Sequence, residues 1–196
     1  MDRPASLLLA TRNAHKLAEV RRLLDPAGIA VEPLPEGIEL PSEVGETFAQ
    51  NALPKARVAA AATGVPAIAD DSGIESDALA GAPGVRSARF AGEGASDEQN
   101  LCKLVFEAPA GSALRYVCAL AYVDPLNREE RVFLGDCHGR MAAQRRGSRG
   151  FGYDPVFIPD GRETERTVGE WSDAEKAAAS HRARAFAALA PLLADL

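Results

Sequence analysis

The chain has 196 residues, of which 46% are hydrophobic and 26% are charged, and its formal net charge is −6. This length predicts a single domain over residues 1–196. The composition excludes a disordered polymer, a collagen and a cysteine-rich secreted scaffold. The acidic balance argues against a nucleic-acid partner. The apolar stretches are too short to span a bilayer, so we expect no membrane partner.

The three cysteines, Cys102, Cys118 and Cys137, are widely spaced and form no CxxC pair. Such cysteines are expected to be free, buried thiols in a reducing compartment. The N-terminus lacks the basic and apolar pattern of a signal peptide. We therefore expect a cytoplasmic protein.

The first predicted unit is a strand, a polar turn and a helix. Residues 6–10 form a short apolar run typical of a buried strand. Apolar residues recur at helical spacing over residues 14–24. The turn between them, Thr11 to Lys16, carries a hydroxyl, an amide and cations beside a helix N-terminus, which suits a polyphosphate. An ordinary asparagine cap at Asn13 is the alternative.

The next segment contains a weaker strand, an acidic loop and a helix. The strand is predicted over residues 28–33 and the helix over residues 47–63, which Pro54 should kink or split. The loop carries four glutamates, at positions 36, 39, 43 and 46. Scattered charges of this kind are usually solvated. Any one of the four could hold Mg²⁺ together with a second carboxylate. Their spacing in the sequence does not indicate which glutamate is the ligand.

A strand predicted over residues 66–69 leads directly into Asp70 and Asp71. Successive side chains of an extended backbone point to opposite faces, so one carboxylate can face a site while the scaffold holds the other. A divalent cation would relieve the repulsion between the two charges. The alternative is a strand-to-turn pair in which Asp71 caps a turn at Gly73.

The second half alternates helix, hairpin, loop and helix. We predict a helix over residues 96–107, a hairpin of residues 114–124 and 131–137, a strand over residues 153–158, and a helix over residues 172–190 that Pro191 ends or kinks. With the first half, this order predicts an α/β protein with a mixed sheet.

The glycine-rich loop at residues 147–152 and the start of the last helix carry further polar and aromatic side chains. Phe151 or Tyr153 could stack on a base, although plain turn chemistry explains the loop equally well. Arg182 could bind a planar hydrogen-bonding ligand. Together with the acidic pair and the polar turn, these residues are typical of a Mg²⁺-dependent nucleotide enzyme.

Six motifs, in register over nearly the whole chain, resemble the inosine triphosphate pyrophosphatases. They are Thr11-Arg12-Asn13-Ala14-His15-Lys16; Glu43 to Phe48 with Asn51-Ala52 and Lys55-Ala56; Ala69 to Gly73; Gly81 to Val85 with Ser87-Ala88-Arg89; Gly150 to Pro155; and Glu175-Lys176 with Ser180-His181-Arg182.

This resemblance implies hydrolysis of ITP, dITP and XTP to the monophosphate and pyrophosphate, which keeps deaminated purines out of DNA and RNA. It also implies an elongated mixed sheet flanked by helices, a central cleft between two lobes, and a homodimer. The closest alternative is the related septum-formation-type pyrophosphatase, which acts on pyrimidine or modified nucleotides. A non-catalytic nucleotide sensor is an alternative from another class.

The resemblance also implies a role for individual residues. Asp71 would be the general base and a Mg²⁺ ligand, with Glu43 as the second ligand and Asp70 as support. The substrate would be bound by Thr11, Arg12, Asn13, Ala14, His15, Lys16, Lys55, Ser72, Phe151, Gly152, Tyr153, Asp154, Lys176, His181 and Arg182. Among these, Phe151 would stack on the purine, and Lys176, His181 and Arg182 would recognise the edge of the base.

Overall fold

A six-stranded sheet organises the chain in the computed structural model, which describes residues 6–161 and 165–195. The strands are β1 (Ser6–Leu9), β2 (Ala30–Pro33), β3 (Ala67–Ser76), β4 (Ala113–Asp124), β5 (Glu129–Met141) and β6 (Phe157–Pro159). The α-helices are α1 (Ala14–Leu24), α2 (Phe48–Thr63), α3 (Asp97–Glu107), α4 (Asp173–Ala179) and α5 (His181–Asp195).

The strand order is β2-β1-β3-β4-β5-β6. Strand β1 pairs in parallel with both β2 and β3, and β5 pairs antiparallel with β6. The sheet is therefore mixed, which confirms the predicted fold class. Strands β4 and β5 are neighbours joined by four residues, as the predicted hairpin requires.

The chain divides into two compact units. The first unit comprises Met1–Asp71, Cys118–Gly135 and Arg182–Leu196, and the second unit comprises Ser72–Val117 and Asp136–His181. Each unit has its own apolar core, because helices and strands bury their apolar faces against one another. The prediction of a single domain stays a prediction.

The core of the first unit is built around β1, α1 and α5. Leu7, Leu9 and Val20 are fully buried there, together with Leu189 on the last helix. The core of the second unit gathers buried side chains from α3, β4 and the segment after β6, including Leu104 and Trp171. Within the described residues, no helix is long and apolar enough to cross a membrane. The cysteines are free, with Cys102 exposed and the other two buried.

Pro54 does not split its helix and Pro191 does not end its helix, so these parts of the prediction are wrong, while the predicted kinks stay predictions. Helix α2 runs through Pro54, and α5 continues past Pro191 to Asp195. A capping box at Thr47 and a left-handed Gly64 close α2 at its two ends. Buried side chains on either side of each proline hold the helix by packing, which outweighs the loss of one backbone donor.

Three other boundaries also differ from prediction. The last helical segment is two helices, because Ser180 is extended and precedes α5, a position that serine favours. Residues 154–156 form a 3-10 helix, and only residues 157–159 form a strand. Strand β3 continues through Gly73, so the alternative in which Asp71 caps a turn there is wrong. A Cβ at Gly73 would lie 2.4 Å from Ser87 Oγ, so glycine allows the close approach by which Ser87 pairs with Ile74.

Candidate functional site

The two consecutive aspartates lie inside β3 and are both buried. Asp70 is 1% exposed and Asp71 is 5% exposed, although both belong to a residue type that is rarely buried without partners. Alternation along the strand sends their side chains to opposite faces, and the two carboxylates have different partners.

Asp70 is held by two cations of the first unit. Its Oδ2 lies 3.1 Å from Lys16 Nζ and 2.8 Å from Arg182 Nη2. Burial alone would raise the pKa of Asp70, but the positive charges of Lys16, Arg182 and Lys55 outweigh burial and hold this pKa far below its usual range. Asp70 is therefore ionised across the whole physiological range.

Arg182 is fully buried, and its guanidinium also pairs with Glu19 of α1. Burial would lower the pKa of Arg182, but Asp70 and Glu19 raise it. The contacts with Asp70 and Glu19 give Arg182 a structural role that the sequence did not indicate. Its predicted recognition of the base stays a prediction.

Asp71 belongs to a second group of polar side chains in the first unit. Asn51 of α2 donates from Nδ2 to Asp71 Oδ2 at 2.9 Å. Lys55, one turn further along α2, lies 2.7 Å from Glu43 Oε1 and donates to the backbone carbonyl of Asp70 at 2.9 Å. We call Glu43, Asn51, Lys55 and Asp71 the carboxylate cluster.

Among the four glutamates of the acidic loop, Glu43 is the one that pairs with Lys55 and whose charge acts on Asp71. Its side chain is 30% exposed and is paired with Lys55, whereas Glu36, Glu39 and Glu46 are exposed. Glu43 and Asp71 are close enough for their charges to interact. Burial and the Glu43 charge together raise the pKa of Asp71, and Lys55 opposes this shift.

The carboxylate cluster fits a magnesium ion. Two oxygen-donor carboxylates that repel each other are brought together, and a divalent cation would remove this repulsion. Among the described residues, no group of three or more histidine, cysteine, aspartate or glutamate side chains could hold a metal ion. Mg²⁺ does not require such a group, because it binds through one or two carboxylates and keeps several waters.

The turn from Thr11 to Lys16 is organised around the N-terminus of α1. Asn13 Oδ1 accepts from the backbone N–H groups of His15 and Lys16, so the predicted asparagine cap is confirmed. The guanidinium of Arg12 donates to three backbone carbonyls of residues 34–38, which fixes the start of the acidic loop. Asn13, Ala14 and His15 are exposed. Their contact with phosphate stays a prediction.

In the second unit, Asp154 is the centre of a buried polar group. It is 3% exposed and accepts from Lys176 Nζ at 2.7 Å, from Tyr116 Oη at 3.1 Å and from the Phe151 N–H at 2.9 Å. A Cβ at Gly150 would lie 2.0 Å from Asp154 Oδ2, so the loop can pass this carboxylate only with a glycine there.

Aromatic rings surround this polar group. Lys176 Nζ lies 4.5 Å from the centroid of the Phe151 ring, and the ring of Tyr116 stacks on His181 at 4.6 Å between centroids. Tyr153 donates to the backbone carbonyl of Ser87 at 2.7 Å, and burial raises its pKa. We call Tyr116, Phe151, Asp154, Lys176 and His181 the aromatic cluster.

Two further predicted residues belong to the second unit. The backbone N–H of Gly152 donates to Asp97 at 3.1 Å, and Ser72 follows Asp71 on β3. Their predicted contacts with substrate stay predictions.

Comparison with known proteins identifies the chain. Residues 7–192 match the Ham1 family. The chain belongs to the Ham1 family. This result confirms the family resemblance predicted from the six motifs. The solved structure of a HAM1 protein from Coxiella burnetii is similar, with a TM-score of 0.84 and 37% identity over 97% of this chain and 99% of that chain.

Two curated relatives of this Ham1 protein carry the same name. A dITP/XTP pyrophosphatase of Frankia alni is 47% identical, and the match covers 97% of this chain and 98% of the relative. A protein of the same name from Symbiobacterium thermophilum is 48% identical over 92% of this chain and 91% of the relative.

Three residues of this Ham1 protein, Asn51, Glu19 and Tyr116, lie in these groups although the sequence predicts no role for them. Asn51 stands one helical turn before Lys55, so the i, i+4 spacing could have indicated it. Glu19 and Tyr116 gave no such signal, because their partners Arg182 and Asp154 are distant in sequence.

Proposed function

We propose that this Ham1 protein is a Mg²⁺-dependent pyrophosphatase that hydrolyses dITP, ITP and XTP to the monophosphate and pyrophosphate. The observation that carries the proposal is the carboxylate cluster, where Glu43 and Asp71 interact within the first unit. The names of the curated relatives, which match over nearly their full length, support the substrate class.

Asp71 is the proposed general base toward the water that attacks the α-phosphorus. Its carboxylate would accept a proton from that water. A metal-bound carboxylate is a weak base, so the orientation of the water matters more than the proton affinity of Asp71. Glu43 and Asp71 would hold Mg²⁺, which when bound supplies the positive charge that neutralises the departing pyrophosphate. Lys55 and the turn from Thr11 to Lys16 are proposed to bind the phosphates.

The aromatic cluster is proposed to recognise the base. Phe151 would stack on the purine ring, while Tyr153 and Asp154 shape the surface around it. Hypoxanthine and xanthine present a 6-oxo acceptor, whereas adenine presents an amino group there. Donors from Lys176, His181 and Arg182 would pair with the oxygen and oppose the amino group. A buried mismatch of this kind can reject a ligand by about 10⁴-fold.

A substrate panel tests the activity. The purified protein is incubated with dITP, XTP, ITP, ATP and a pyrimidine nucleoside triphosphate, with Mg²⁺ or with a chelator, and products are separated by chromatography. We expect monophosphate and pyrophosphate from the first three nucleotides, only with Mg²⁺. Turnover of the pyrimidine nucleotide alone would instead indicate the septum-formation-type activity. Binding without turnover would indicate a sensor. Equal rates for ITP and ATP would contradict the proposed base recognition.

We further propose that the protein acts as a cytoplasmic homodimer that removes deaminated purine nucleotides before they enter DNA or RNA. Light scattering coupled to size exclusion tests the dimer. A mass near twice the chain mass of 20.6 kDa supports it, and a mass near 20.6 kDa contradicts it.

A further inference from the structure

One buried amide connects the two acidic parts of the carboxylate cluster. Asn51 is 3% exposed and donates from Nδ2 to Asp71 Oδ2 at 2.9 Å. Its Oδ1 accepts from the backbone N–H of Gly45 at 2.7 Å. Gly45 lies two residues after Glu43 in the acidic loop. A single side chain on α2 therefore contacts both the strand that carries Asp71 and the loop that carries Glu43.

The chemistry of the partners fixes the orientation of this amide. A carboxylate accepts hydrogen bonds and a backbone N–H donates one, so the NH₂ group must face Asp71 and the oxygen must face Gly45. Rotating the amide by half a turn would break both bonds. Asn51 is thus held in one orientation by the two groups that it connects.

The loop approaches α2 so closely that only glycine fits at position 45. A Cβ at Gly45 would lie 2.6 Å from Gln50 Cβ and 2.8 Å from Asn51 Oδ1. Both distances are far shorter than van der Waals contact. Any side chain at position 45 would therefore push the loop away from the Asn51 amide.

We propose that Asn51 is a positioning residue that sets the orientation of the Asp71 carboxylate and the distance of the Glu43 loop from it. This inference rests on the proposed function, because it concerns how the two carboxylates are presented to a divalent ion. Residues that hold metal ligands in place typically change metal affinity or activity by about 10–100-fold when they are replaced.

Asn100 provides a matched control within the same chain. It is 1% exposed, its Oδ1 accepts from the backbone N–H of Ala91 at 2.8 Å, and its Nδ2 donates to the backbone carbonyl of Ala88 at 3.1 Å. It is as deeply buried as Asn51 to within a few per cent, it also uses both ends of its amide, and it belongs to the second unit, but both of its partners lie in one segment. The donor group of Asn100 faces a backbone carbonyl, whereas that of Asn51 faces Asp71.

The test compares Asn51→Leu with Asn100→Leu. Mn²⁺ affinity is measured without nucleotide by electron paramagnetic resonance, and kcat and KM for dITP are measured at saturating Mg²⁺. For Asn51→Leu we expect Mn²⁺ affinity and kcat to fall by about 10–100-fold with an unchanged KM. For Asn100→Leu we expect a lower melting temperature with unchanged Mn²⁺ affinity and kcat. Wild-type Mn²⁺ affinity in a folded Asn51→Leu variant, or equal losses in both variants, would overturn the proposal.

Gly45→Ala tests the same connection from the loop side and serves if Asn51→Leu does not fold. We expect Gly45→Ala to weaken Mn²⁺ binding. We expect the double variant to bind Mn²⁺ no more weakly than the more impaired single variant, because both changes break one link. Unchanged Mn²⁺ affinity in Gly45→Ala, or fully additive losses, would contradict the positioning role. The Mn²⁺ measurement needs no nucleotide. A wild-type protein that binds Mn²⁺ but does not hydrolyse dITP would therefore refute the proposed function and leave this inference standing.

Discussion

Replacing Arg182 by methionine should destabilise the protein strongly. Arg182 is 1% exposed, and its guanidinium contacts Asp70 and Glu19. Methionine fills a similar volume but leaves these carboxylates without the guanidinium. Breaking a buried ion pair by removing one partner costs about 3–5 kcal/mol, because the remaining charge stays buried.

The structure places the expected cost at the lower end of this range. The substitution leaves Lys16, whose Nζ lies 3.1 Å from Asp70 Oδ2, and the side chain of Glu19 is 14% exposed, so some of the lost charge is compensated. A cost of about 3 kcal/mol corresponds to a fall in melting temperature of about 6–12 °C for a chain of this size.

Arg57 is the matched control for this prediction. It makes a two-point contact with Glu130 at 2.8 and 2.7 Å, and the two side chains are 52% and 40% exposed. Exposed pairs contribute about 0–1 kcal/mol, so Arg57→Met should lower the melting temperature by at most about 4 °C. Thermal unfolding followed by circular dichroism measures both variants. Equal, small shifts for Arg182→Met and Arg57→Met would refute the reasoning that burial makes the Arg182 pair costly to break.

Three further predictions concern substrate binding and pH. Phe151→Ala should raise KM for dITP by about 5–150-fold with little change in kcat, because base–aromatic stacking contributes about 1–3 kcal/mol. Steady-state kinetics measure both constants, and an unchanged KM would refute the stacking role. The pKa of Asp70 is lower in the folded protein than in the unfolded chain, so ionised Asp70 stabilises the fold above pH about 4 and this contribution is lost as the pH falls toward the folded value. Urea unfolding measures the difference in free energy of unfolding between the wild type and Asp70→Asn. This difference should be constant from pH 7 to pH 5 and should narrow below pH about 4. A difference that widens in acid would contradict the lowered pKa of Asp70. Because burial and the Glu43 charge together raise the pKa of Asp71, Glu43→Gln should weaken Mg²⁺ binding by at least about tenfold and make the remaining affinity less sensitive to acid. Calorimetric titration at two pH values measures both effects, and an acid sensitivity equal to that of the wild type would contradict the interaction between the two carboxylates.

Local features of the fold could be predicted from the sequence because their causes are local. The Asn13 cap and the Thr47 capping box depend on residues within three positions of each other. The boundaries of α1 and α3 follow from such signals. The prediction that Pro54 splits its helix or that Pro191 ends its helix is wrong, because packing of the surrounding helix outweighs the loss of a single backbone hydrogen bond.

The candidate site could be predicted only in part. Asp71 was indicated by its position at the end of an apolar run, but the choice of Glu43 among four glutamates requires knowing which one meets Lys55. The pairing of Arg182 with Asp70 joins residues 112 positions apart. No spacing rule predicts such a contact, so the structural role of Arg182 could come only from the fold.

The rate of dITP hydrolysis by Asp71→Asn tests the central claim most directly. Asparagine keeps the size of the side chain and a potential partner for Asn51, but it can neither accept the proton of the attacking water nor contribute a negative charge toward Mg²⁺. We expect kcat at saturating Mg²⁺ to fall by about 10²–10⁴-fold or more in a variant that stays folded. Near-wild-type turnover by a folded Asp71→Asn protein would contradict the assignment of the carboxylate cluster as the catalytic centre.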